Sequence, residues 1–500
     1  MMTHSFGPRC RALAAGMLFS LAPAPASVRA AQGDAPNPLV APFVSVNAKT
    51  VAIRHVRLID GTGASPKTDR TLIISGGKIV ALGPAGSVAI PPDATSIDGT
   101  NRTVMPGYVG THNHLFTGVE RPRHYWRSMP FSFPRLYLAA GTTTIRTTGS
   151  MDIYGDMHIK QRIDAGLTVG PSIDLTSPYL TGADNRDLEM DDLRDADDAR
   201  KTVAFWADHG VHSFKVYTDI TRAELSAVIE EAHARGLKVM GHLCSVTFTE
   251  AAALGIDEIE HGPFVTDTEF VDDKRPDTCP SNDAQEAAQL QTPVESPKID
   301  RLIAEFVRRK LPMSSTLPVF ESFVENLPPD EEFTKTLDLL DPEQKDAVLT
   351  DRKSIAEGKP FGLDLKGKPW PAGALLKKEM AFELKFFRAG GLLTAGPDPS
   401  GYGATIAGLG DWRELELLVQ AGFTPVQAIH VATENGAIAL GIHNRVGTLA
   451  VGKDADITLV VGDPSARISD IERVETVFKD GVGYDSKKLF ASVRGSVGRL

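Results

Sequence analysis

The chain contains very little cysteine, with three cysteines among its 500 residues. Cys10 lies near the N-terminus, and the remaining pair, Cys244 and Cys279, is too small a set to define a disulfide framework. A small scaffold held together by several disulfides is therefore excluded. The two cysteines could pair in an oxidising compartment. However, Cys244 lies two residues after His242 on one predicted strand, and we expect it to be a buried free thiol near a functional site.

Positive charge is scarce relative to negative charge, because 53 lysines and arginines stand against 64 aspartates and glutamates, giving a net charge of -11. A nucleic-acid partner requires a basic surface, so this balance argues against one. It gives no support for binding to anionic membranes either. The sequence also lacks an apolar run of the ~20 residues that span a bilayer, so we expect no membrane insertion. The hydrophobic fraction of 42% is ordinary for a soluble globular enzyme.

The N-terminal segment has the features of a secretion signal. Two arginines precede an apolar run at residues 12–22, and Val28-Arg-Ala30 provides the small residues of a cleavage signal. We therefore predict a signal peptide over residues 1–31 and a periplasmic or secreted location, with a disordered tail as the alternative. Residues 32–48, rich in proline, alanine and asparagine, are predicted to be a linker.

The middle of the chain alternates between short apolar strands and helical stretches. One such helical stretch runs from Arg222 to Arg235 and stops at Gly236. Repeated strand–helix alternation predicts an α/β fold with a parallel (β/α)8 TIM-like barrel over residues 105–444. Segments 265–298 and 321–375 do not fit a minimal barrel and are predicted to be insertions. The strand candidates are 103–109, 141–147, 171–176, 212–217, 238–243, 257–261, 312–317 and 392–396.

Both flanks of this region are rich in β-strand patterns. Residues 49–104 contain short apolar runs separated by turn signals such as Gly76-Gly77, and residues 445–485 repeat the pattern. Neither flank contains a long helical pattern. The most economical arrangement joins the two flanks into one small β domain, although the sequence alone does not establish that pairing.

Six polar side chains lie at or near the ends of the central strand candidates, and we interpret them as one metal site. In a parallel barrel the active site forms where strands end and loops begin. The histidines in the His-Asn-His motif are two residues apart, a spacing that puts both rings on one face of a strand. Imidazole suits zinc and neighbouring divalent metals. For any one of these residues taken alone, a structural role is the alternative. The six are His112, His114, Lys215, His242, His261 and Asp398.

The order of these residues along the chain, His-x-His, Lys, His, His and Asp on successive strands, resembles the metal-dependent amidohydrolase superfamily. The segments Ile59-Asp-Gly-Thr-Gly63, 428–441 and 447–456 are also similar to that superfamily. Within it, the chain looks most like the imidazolonepropionase-related and Xaa-Pro dipeptidase-like branch. The resemblance implies a barrel accompanied by a small β-sandwich domain formed from both chain ends. It further implies a small-molecule substrate and pairing of copies into a homo-oligomer.

The resemblance also implies a ligand scheme for two divalent metal ions, with Zn²⁺ as the first choice. Lys215 would react with carbon dioxide to give a carbamate that bridges the two cations. His242 and His261 would bind the second ion, and Asp398 would bind the first and accept a proton from the bridging water. Tyr217 lies two residues after Lys215 and so faces the same side, where it could hydrogen-bond a developing oxyanion. A tyrosine that only packs under a loop is an alternative of equal weight.

These inferences predict a secreted binuclear hydrolase that cleaves a carbon–nitrogen bond in an amide, peptide or cyclic amide through a metal-activated hydroxide. The first alternative is a lactone, carbamate or organophosphate hydrolase on the same site. A mononuclear deaminase is less favoured because it has no need of Lys215. A catalytically inactive binding scaffold is the alternative of a different class, and the presence of all six candidate ligands argues against it.

Overall fold

The computed structural model describes residues 32–119, 125–183, 189–360 and 371–499. The predicted signal peptide and residues 361–370 of the second predicted insertion lie outside these ranges. The described residues form the strands β1 (Val44–Val46), β2 (Thr50–Leu58), β3 (Lys67–Ser75), β4 (Lys78–Pro84), β5 (Thr95–Asp98), β6 (Arg102–Pro106), β7 (Tyr108–Gly110), β8 (Phe116–Val119), β9 (Tyr125–Ser128), β10 (Thr142–Arg146), β11 (Ser172–Asp174), β12 (Thr176–Gly182), β13 (Asp191–Leu193), β14 (Ser213–Val216), β15 (Lys238–Gly241), β16 (Glu258–Glu260), β17 (Met313–Ser315), β18 (Leu393–Ala395), β19 (Ile457–Val461), β20 (Val474–Lys479) and β21 (Val482–Asp485).

The helices lie mainly between the central strands. Among the described residues, every helix is too short or too polar to traverse a bilayer. The α-helices are α1 (Phe133–Ala140), α2 (Ile153–Asp164), α3 (Ala196–Asp208), α4 (Arg222–Ala234), α5 (Phe248–Leu254), α6 (Asn282–Gln291), α7 (Pro297–Arg309), α8 (Leu317–Ser322), α9 (Asp330–Leu339), α10 (Pro342–Ala356), α11 (Ala372–Arg388), α12 (Leu409–Ala421), α13 (Pro425–His430), α14 (Gly436–Ala439) and α15 (Ser486–Val493).

One nine-stranded sheet draws its strands from both flanks of the chain. Its order is β1-β21-β20-β19-β6-β2-β3-β4, with β5 paired to β2. Strand β19, from the C-terminal flank, pairs antiparallel with β6, from the N-terminal flank, and Leu459 lies opposite Val104. Both of these residues belong to one buried apolar cluster. Strand β1, which lies within the predicted linker, pairs with β21.

The central strands are parallel and form two sheets, one in the order β11-β10-β7 and the other in the order β13-β12-β14-β15-β16-β17-β18. Backbone hydrogen bonds connect the two sheets at two places. The Ser150 amide, after β10, donates to the Ser177 carbonyl on β12 over 3.0 Å, and the Thr111 amide, after β7, donates to the Ala395 carbonyl on β18 over 3.0 Å. Each of the eight predicted strand segments contains or overlaps an observed strand. The described chain is therefore a mixed α/β structure whose two parallel sheets are joined by backbone hydrogen bonds.

Helix α4 shows how the local sequence sets the helices that cover these strands. The Thr221 side chain accepts from the Glu224 amide, and the Glu224 carboxylate accepts from the Thr221 amide, which satisfies two donors that the first turn leaves unpaired. Gly236, just beyond the helix, has a φ of 72°, a conformation that glycine adopts without steric cost. The buried face of the helix includes Leu225, Ala227, Val228, Ile229 and Ala232. Each large apolar side chain on that face contributes about 1.5–3 kcal/mol through burial.

Cys244 and Cys279 form a disulfide, so the expectation of a free thiol at Cys244 is wrong. The chain leaves the end of β16 into the first predicted insertion and returns over the end of β15, which brings the two Cα atoms to 5.0 Å. Other contacts hold the same segment in place. The Thr268 hydroxyl donates to the Cys244 carbonyl over 2.7 Å, and the Arg222 guanidinium pairs with Asp277 at 2.9 Å.

A group of buried carboxyl side chains lies behind the last two parallel strands. Glu379 and Glu383 lie on α11 and Glu414 on α12, each with 1% of its surface exposed. The Ser315 hydroxyl contacts both Glu383 and Glu414. The Glu379 carboxyl accepts from the Phe264 amide over 3.0 Å through one oxygen, while its other oxygen is buried and has no hydrogen-bond partner among the described residues.

We expect these buried carboxyl side chains to make the free energy of unfolding fall as the pH rises from about 4.5 to about 8. Burial raises the pKa of Glu379 to about 8 and that of Glu414 to about 8. Across that window the folded protein keeps these protons while the unfolded chain loses them, so ionisation favours unfolding. Replacing Glu379 with glutamine removes one such group. Between pH 5 and pH 8.5, the fall in the free energy of unfolding should be about 1–4 kcal/mol smaller in the variant than in the wild type. Calorimetric or urea unfolding of both proteins measures this difference.

A surface variant provides the control for this measurement. Glu331 is exposed on α9, so Glu331→Gln should leave the pH dependence of the unfolding temperature unchanged. If Glu379→Gln also leaves the wild-type pH profile unchanged, the raised pKa of Glu379 is refuted.

Candidate metal centre

His112 and His114 follow β7, and Asp398 follows β18 three residues after that strand ends. The Asp398 amide donates to the His112 carbonyl over 3.1 Å, which holds the two segments side by side. His114 Nε2 lies 3.1 Å from Asp398 Oδ1, and His112 Nε2 lies 3.7 Å from Asp398 Oδ2. All three side chains are buried, and their ligand atoms lie within 4.8 Å of one another. This spacing suits a single divalent cation.

Two of these strand-end residues have left-handed backbones. Asp398 has a φ of 45° and His261 a φ of 64°. Such a conformation costs free energy for a residue with a Cβ and tends to persist where neighbouring structure enforces it, often at functional sites. The Ser400 hydroxyl donates to Asp398 Oδ1 over 2.6 Å and fixes the orientation of that carboxylate. The backbone therefore points both side chains toward the same space.

His261 and His242 continue the cluster beyond His112. The His261 ring centroid lies 4.6 Å from that of His112 and 4.6 Å from that of His242. His261 Nδ1 is 2.6 Å from the Thr316 hydroxyl, which leaves its Nε2 facing Asp398 at 3.9 Å. The structure thus brings all four predicted histidines together, three with Nε2 facing Asp398 and the fourth, His242, next to His261.

Lys215, on β14, is 1% exposed, and its Nζ is buried without a hydrogen-bond partner among the described residues. Burial lowers the pKa of this amine, although the nearby carboxylates Glu260 and Asp398 act in the opposite direction. A buried ammonium without hydrogen bonds is costly, so this position favours a neutral amine or an amine whose surroundings a bound group completes.

The electrostatics of the cluster favour the protonation states that a metal requires. Burial lowers the pKa of His242 to about 3, with Lys215 adding to the effect, and burial also lowers the pKa of His261. For Asp398, burial opposes ionisation, but the hydrogen bond from His114 and the charges that His112 and His114 carry when protonated outweigh it and hold the pKa well below the ordinary value. Neutral imidazoles and an ionised carboxylate are metal-binding forms. The donor set therefore fits a divalent cation.

Two polar side chains that the sequence analysis did not identify also contact this site. Glu260 Oε2 lies 2.5 Å from His112 Nδ1, and the Ser314 hydroxyl lies 3.2 Å from the same nitrogen. Strand alternation places Glu260 and the next residue, His261, on opposite faces. The left-handed backbone of His261 breaks this alternation, so both side chains reach the cluster. The sequence signal that could have identified Glu260 is an acidic residue directly before His261, a predicted ligand.

Tyr217 lies at the outer side of the cluster and is half-buried. Its ring is 4.8 Å from that of His242 and 5.1 Å from that of Tyr179. The Tyr179 hydroxyl in turn lies 3.5 Å from His114 Nε2, and burial raises the pKa of Tyr179 well above its ordinary value, so it stays protonated. Two tyrosines therefore flank the histidines, and the sequence analysis found one of them.

Known proteins share both sequence and fold with this chain. The Amidohydrolase family model matches residues 103–315 and 391–483. The imidazolonepropionase of Stenotrophomonas maltophilia (strain R551-3) is 34% identical over 97 residues, which are 19% of this chain and 24% of that protein. The chain therefore spans about a quarter of the length of that curated relative.

Solved structures match over most of the chain. A structure described as a Xaa-Pro dipeptidase with bound methionine in the active site has a TM-score of 0.61 and 20% identity, covering 87% of this chain and 100% of its own. A bottromycin amidohydrolase has a TM-score of 0.67 and 20% identity, covering 94% of this chain and 95% of its own. At this identity the structures support a TIM-barrel-like fold. Because the family model covers more than half of the chain, the protein belongs to the amidohydrolase family.

Proposed function

We propose that this protein is a metal-dependent hydrolase of a carbon–nitrogen bond in an amide, peptide or cyclic amide. The observation that carries the proposal is the convergence of His112, His114 and Asp398, whose ligand atoms lie within 4.8 Å of one another. The family assignment supports the same chemistry. Similar proteins are named as an imidazolonepropionase, a Xaa-Pro dipeptidase and a bottromycin amidohydrolase, which also supports hydrolysis of a carbon–nitrogen bond.

The proposed site holds two divalent cations, with Zn²⁺ favoured by its imidazole ligands. His112, His114 and Asp398 would hold the first cation, and His242 and His261 the second. Lys215 would join them after its neutral amine adds to carbon dioxide and loses a proton, which gives a carbamate with two ligand oxygens. Bound divalent metals supply a water whose pKa is lowered toward neutrality. The support for a second cation is the buried Lys215 amine, which has no hydrogen-bond partner among the described residues and interacts electrostatically with His242 and His261.

In the proposed reaction, protein side chains transfer the proton and stabilise the developing negative charge. Asp398, ionised and 3.1 Å from His114, would accept the proton of the attacking water and return it to the leaving nitrogen. Tyr217 would donate a hydrogen bond to the oxygen of the tetrahedral intermediate from the outer side of the cluster. The buried surroundings strengthen both interactions because little water screens them.

We further propose that the parallel strands close into a (β/α)8 barrel over residues 105–444, beside a β-sandwich built from residues 49–104 and 445–485. The backbone hydrogen bonds that connect the two parallel sheets at two places support closure. So does the buried ion pair of Arg146 on β10 with Glu258 on β16, 2.6 Å apart, which joins the two parallel sheets across their interior. A periplasmic or secreted location is supported by the signal-like residues 1–31 and by the disulfide.

We expect Tyr217→Phe to lower kcat by about 10²-fold with a much smaller change in KM, because a donor to the oxyanion acts mainly in the transition state. Steady-state kinetics on the preferred amide measure both constants. Tyr154→Phe, at an exposed tyrosine of α2, is the matched control and should leave both constants unchanged. A Tyr217→Phe variant with wild-type kcat would show that this tyrosine only packs against His242 and Tyr179.

The proposed function is tested by metal analysis and by hydrolysis of a substrate panel. Mature protein loaded with Zn²⁺, Mn²⁺ or Co²⁺ is assayed on N-acyl amino acids, Xaa-Pro dipeptides, cyclic amides, lactones, carbamates and phosphotriesters. We expect turnover of at least one amide class that depends on metal and is abolished by a chelator. Hydrolysis confined to lactones, carbamates or phosphotriesters would reassign the bond cleaved, and absence of turnover across the whole panel would overturn the hydrolase proposal.

A further inference from the structure

Glu260 is a fully buried carboxylate that the proposed mechanism does not use. It ends β16, has 0% of its surface exposed, and directly precedes His261. One oxygen, Oε2, lies 2.5 Å from His112 Nδ1, and the Ser314 hydroxyl donates to the same oxygen. The other oxygen, Oε1, is buried and has no hydrogen-bond partner among the described residues. Burying a carboxylate with one oxygen unpaired costs free energy, so its position in the structure calls for an explanation.

The contact with His112 has a definite chemical consequence. A carboxylate accepts hydrogen bonds and cannot donate one when ionised, so His112 must carry a proton on Nδ1 where it meets Glu260. Neutral histidine then has its lone pair on Nε2, the nitrogen that faces Asp398 at 3.7 Å. Ser314 does not impose the same choice, since its hydroxyl can either donate or accept. The carboxylate therefore selects the tautomer, and the serine fixes the carboxylate.

Glu258 provides a contrast two residues earlier on the same strand. It is also buried, with 2% of its surface exposed, but it pairs with the guanidinium of Arg146 at 2.6 Å. Its charge is therefore compensated within the protein. Glu260 has a histidine and a serine as its hydrogen-bond partners, and the cationic side chains Lys215 and Arg146 interact with it electrostatically without pairing with it directly. The two glutamates share a strand and a face but have different environments.

We propose that Glu260 is a positioning residue that locks His112 in the Nδ1-protonated tautomer and orients its Nε2 toward the first cation of the proposed site. This inference rests on the proposed metal-dependent function. A carboxylate behind a ligating histidine fixes the ring and makes the ligating nitrogen more basic, and its loss typically weakens metal binding by about 10- to 100-fold. Ser314 supports the arrangement by holding Oε2 in place.

The test measures the Zn²⁺ affinity and the His112 tautomer, neither of which requires turnover. Full-length mature protein is titrated with Zn²⁺ against a chromophoric chelator. The His112 tautomer is read from ¹⁵N chemical shifts in histidine-labelled protein, with the signal assigned from His112→Asn. The variants are Glu260→Leu, which removes the acceptor, Glu260→Gln, which keeps an acceptor without charge, and Ser314→Ala. Glu258→Gln is the matched control on the same strand.

We expect Glu260→Leu to weaken Zn²⁺ binding by about 10- to 100-fold and to lose the fixed Nδ1-protonated form. The Zn²⁺ affinities of Glu260→Gln and Ser314→Ala should lie between those of Glu260→Leu and the wild type. These two variants keep the test decisive if Glu260→Leu does not fold. Glu258→Gln should retain wild-type affinity even where it lowers the unfolding temperature.

Wild-type affinity together with an unchanged tautomer in Glu260→Gln and Glu260→Leu would overturn the positioning role. A failure of the metal proposal gives a different result, because the wild type itself would then bind no Zn²⁺. In that case the tautomer in metal-free protein still decides whether Glu260 controls His112. A fixed Nδ1-protonated ring that is lost in Glu260→Leu supports the positioning, and a ring indifferent to the substitution refutes it.

Discussion

Replacing Asp398 with asparagine should lower kcat by about 10²- to 10⁴-fold while the protein stays folded, since the change removes the carboxylate whose oxygens lie beside the Nε2 atoms of both His112 and His114. The asparagine keeps the size of the side chain and tolerates the left-handed backbone at this position. What it loses is the charge proposed to bind a cation and the oxygen proposed to accept a proton. Steady-state kinetics and metal analysis of the same sample measure the two losses separately.

The matched control for this substitution is an aspartate with a similar backbone far from the cluster. Asp69, on β3 of the nine-stranded sheet, has a φ of 50° and a largely exposed side chain. Asp69→Asn should keep wild-type kcat and metal content. If Asp398→Asn retains more than a tenth of the wild-type kcat, Asp398 is not the proton acceptor. If the wild type lacks turnover but binds a partner equally well with either residue at 398, the inactive scaffold becomes the better interpretation.

The central strands were predictable from the sequence because each one is a short apolar run flanked by turn and helix signals. Parallel strands place their carboxyl ends at one edge, so residues that follow different strands are expected to meet. The structure brings His112, His114, His242, His261 and Asp398 into one cluster, as that reasoning predicts. Their role as metal ligands stays a prediction, since strand position specifies where a side chain lies and not what it binds.

Other features depend on contacts that strand periodicity does not encode. The Cys244–Cys279 disulfide joins residues 35 apart across an insertion whose path follows no repeating pattern, so their approach could not be anticipated. Glu260 was missed for a different reason. The alternation rule directs it away from His261, and the rule fails because the backbone of His261 is left-handed. Local irregularities of this kind, which are frequent at functional sites, limit what a regular pattern can reveal.

Replacing Lys215 with alanine should reduce the metal content from two ions per chain to one or none. The amine is buried and its pKa is lowered by burial, which favours the neutral form that reacts with carbon dioxide. The proposed carbamate would supply two oxygens that share one negative charge, in place of a cation that would repel the metals. Loss of the lysine would therefore remove both the proposed bridge and its negative charge. Metal content is measured by plasma mass spectrometry after reconstitution with Zn²⁺ and bicarbonate.

The competing interpretation is that Lys215 remains an ammonium ion opposite Glu260, and the two interpretations differ in more than stoichiometry. A carbamate carbon derived from ¹³C-bicarbonate should give an NMR signal in the wild type that disappears in Lys215→Ala. Lys238→Ala, at the start of the neighbouring strand β15, is the control and should retain both the signal and the metal. One ion per chain, unchanged in Lys215→Ala and without the ¹³C signal in any variant, would refute the carbamate and leave Lys215 as an unmodified amine. The site would then be mononuclear, and Glu260 would serve as the counter-ion of Lys215 as well as the hydrogen-bond partner of His112.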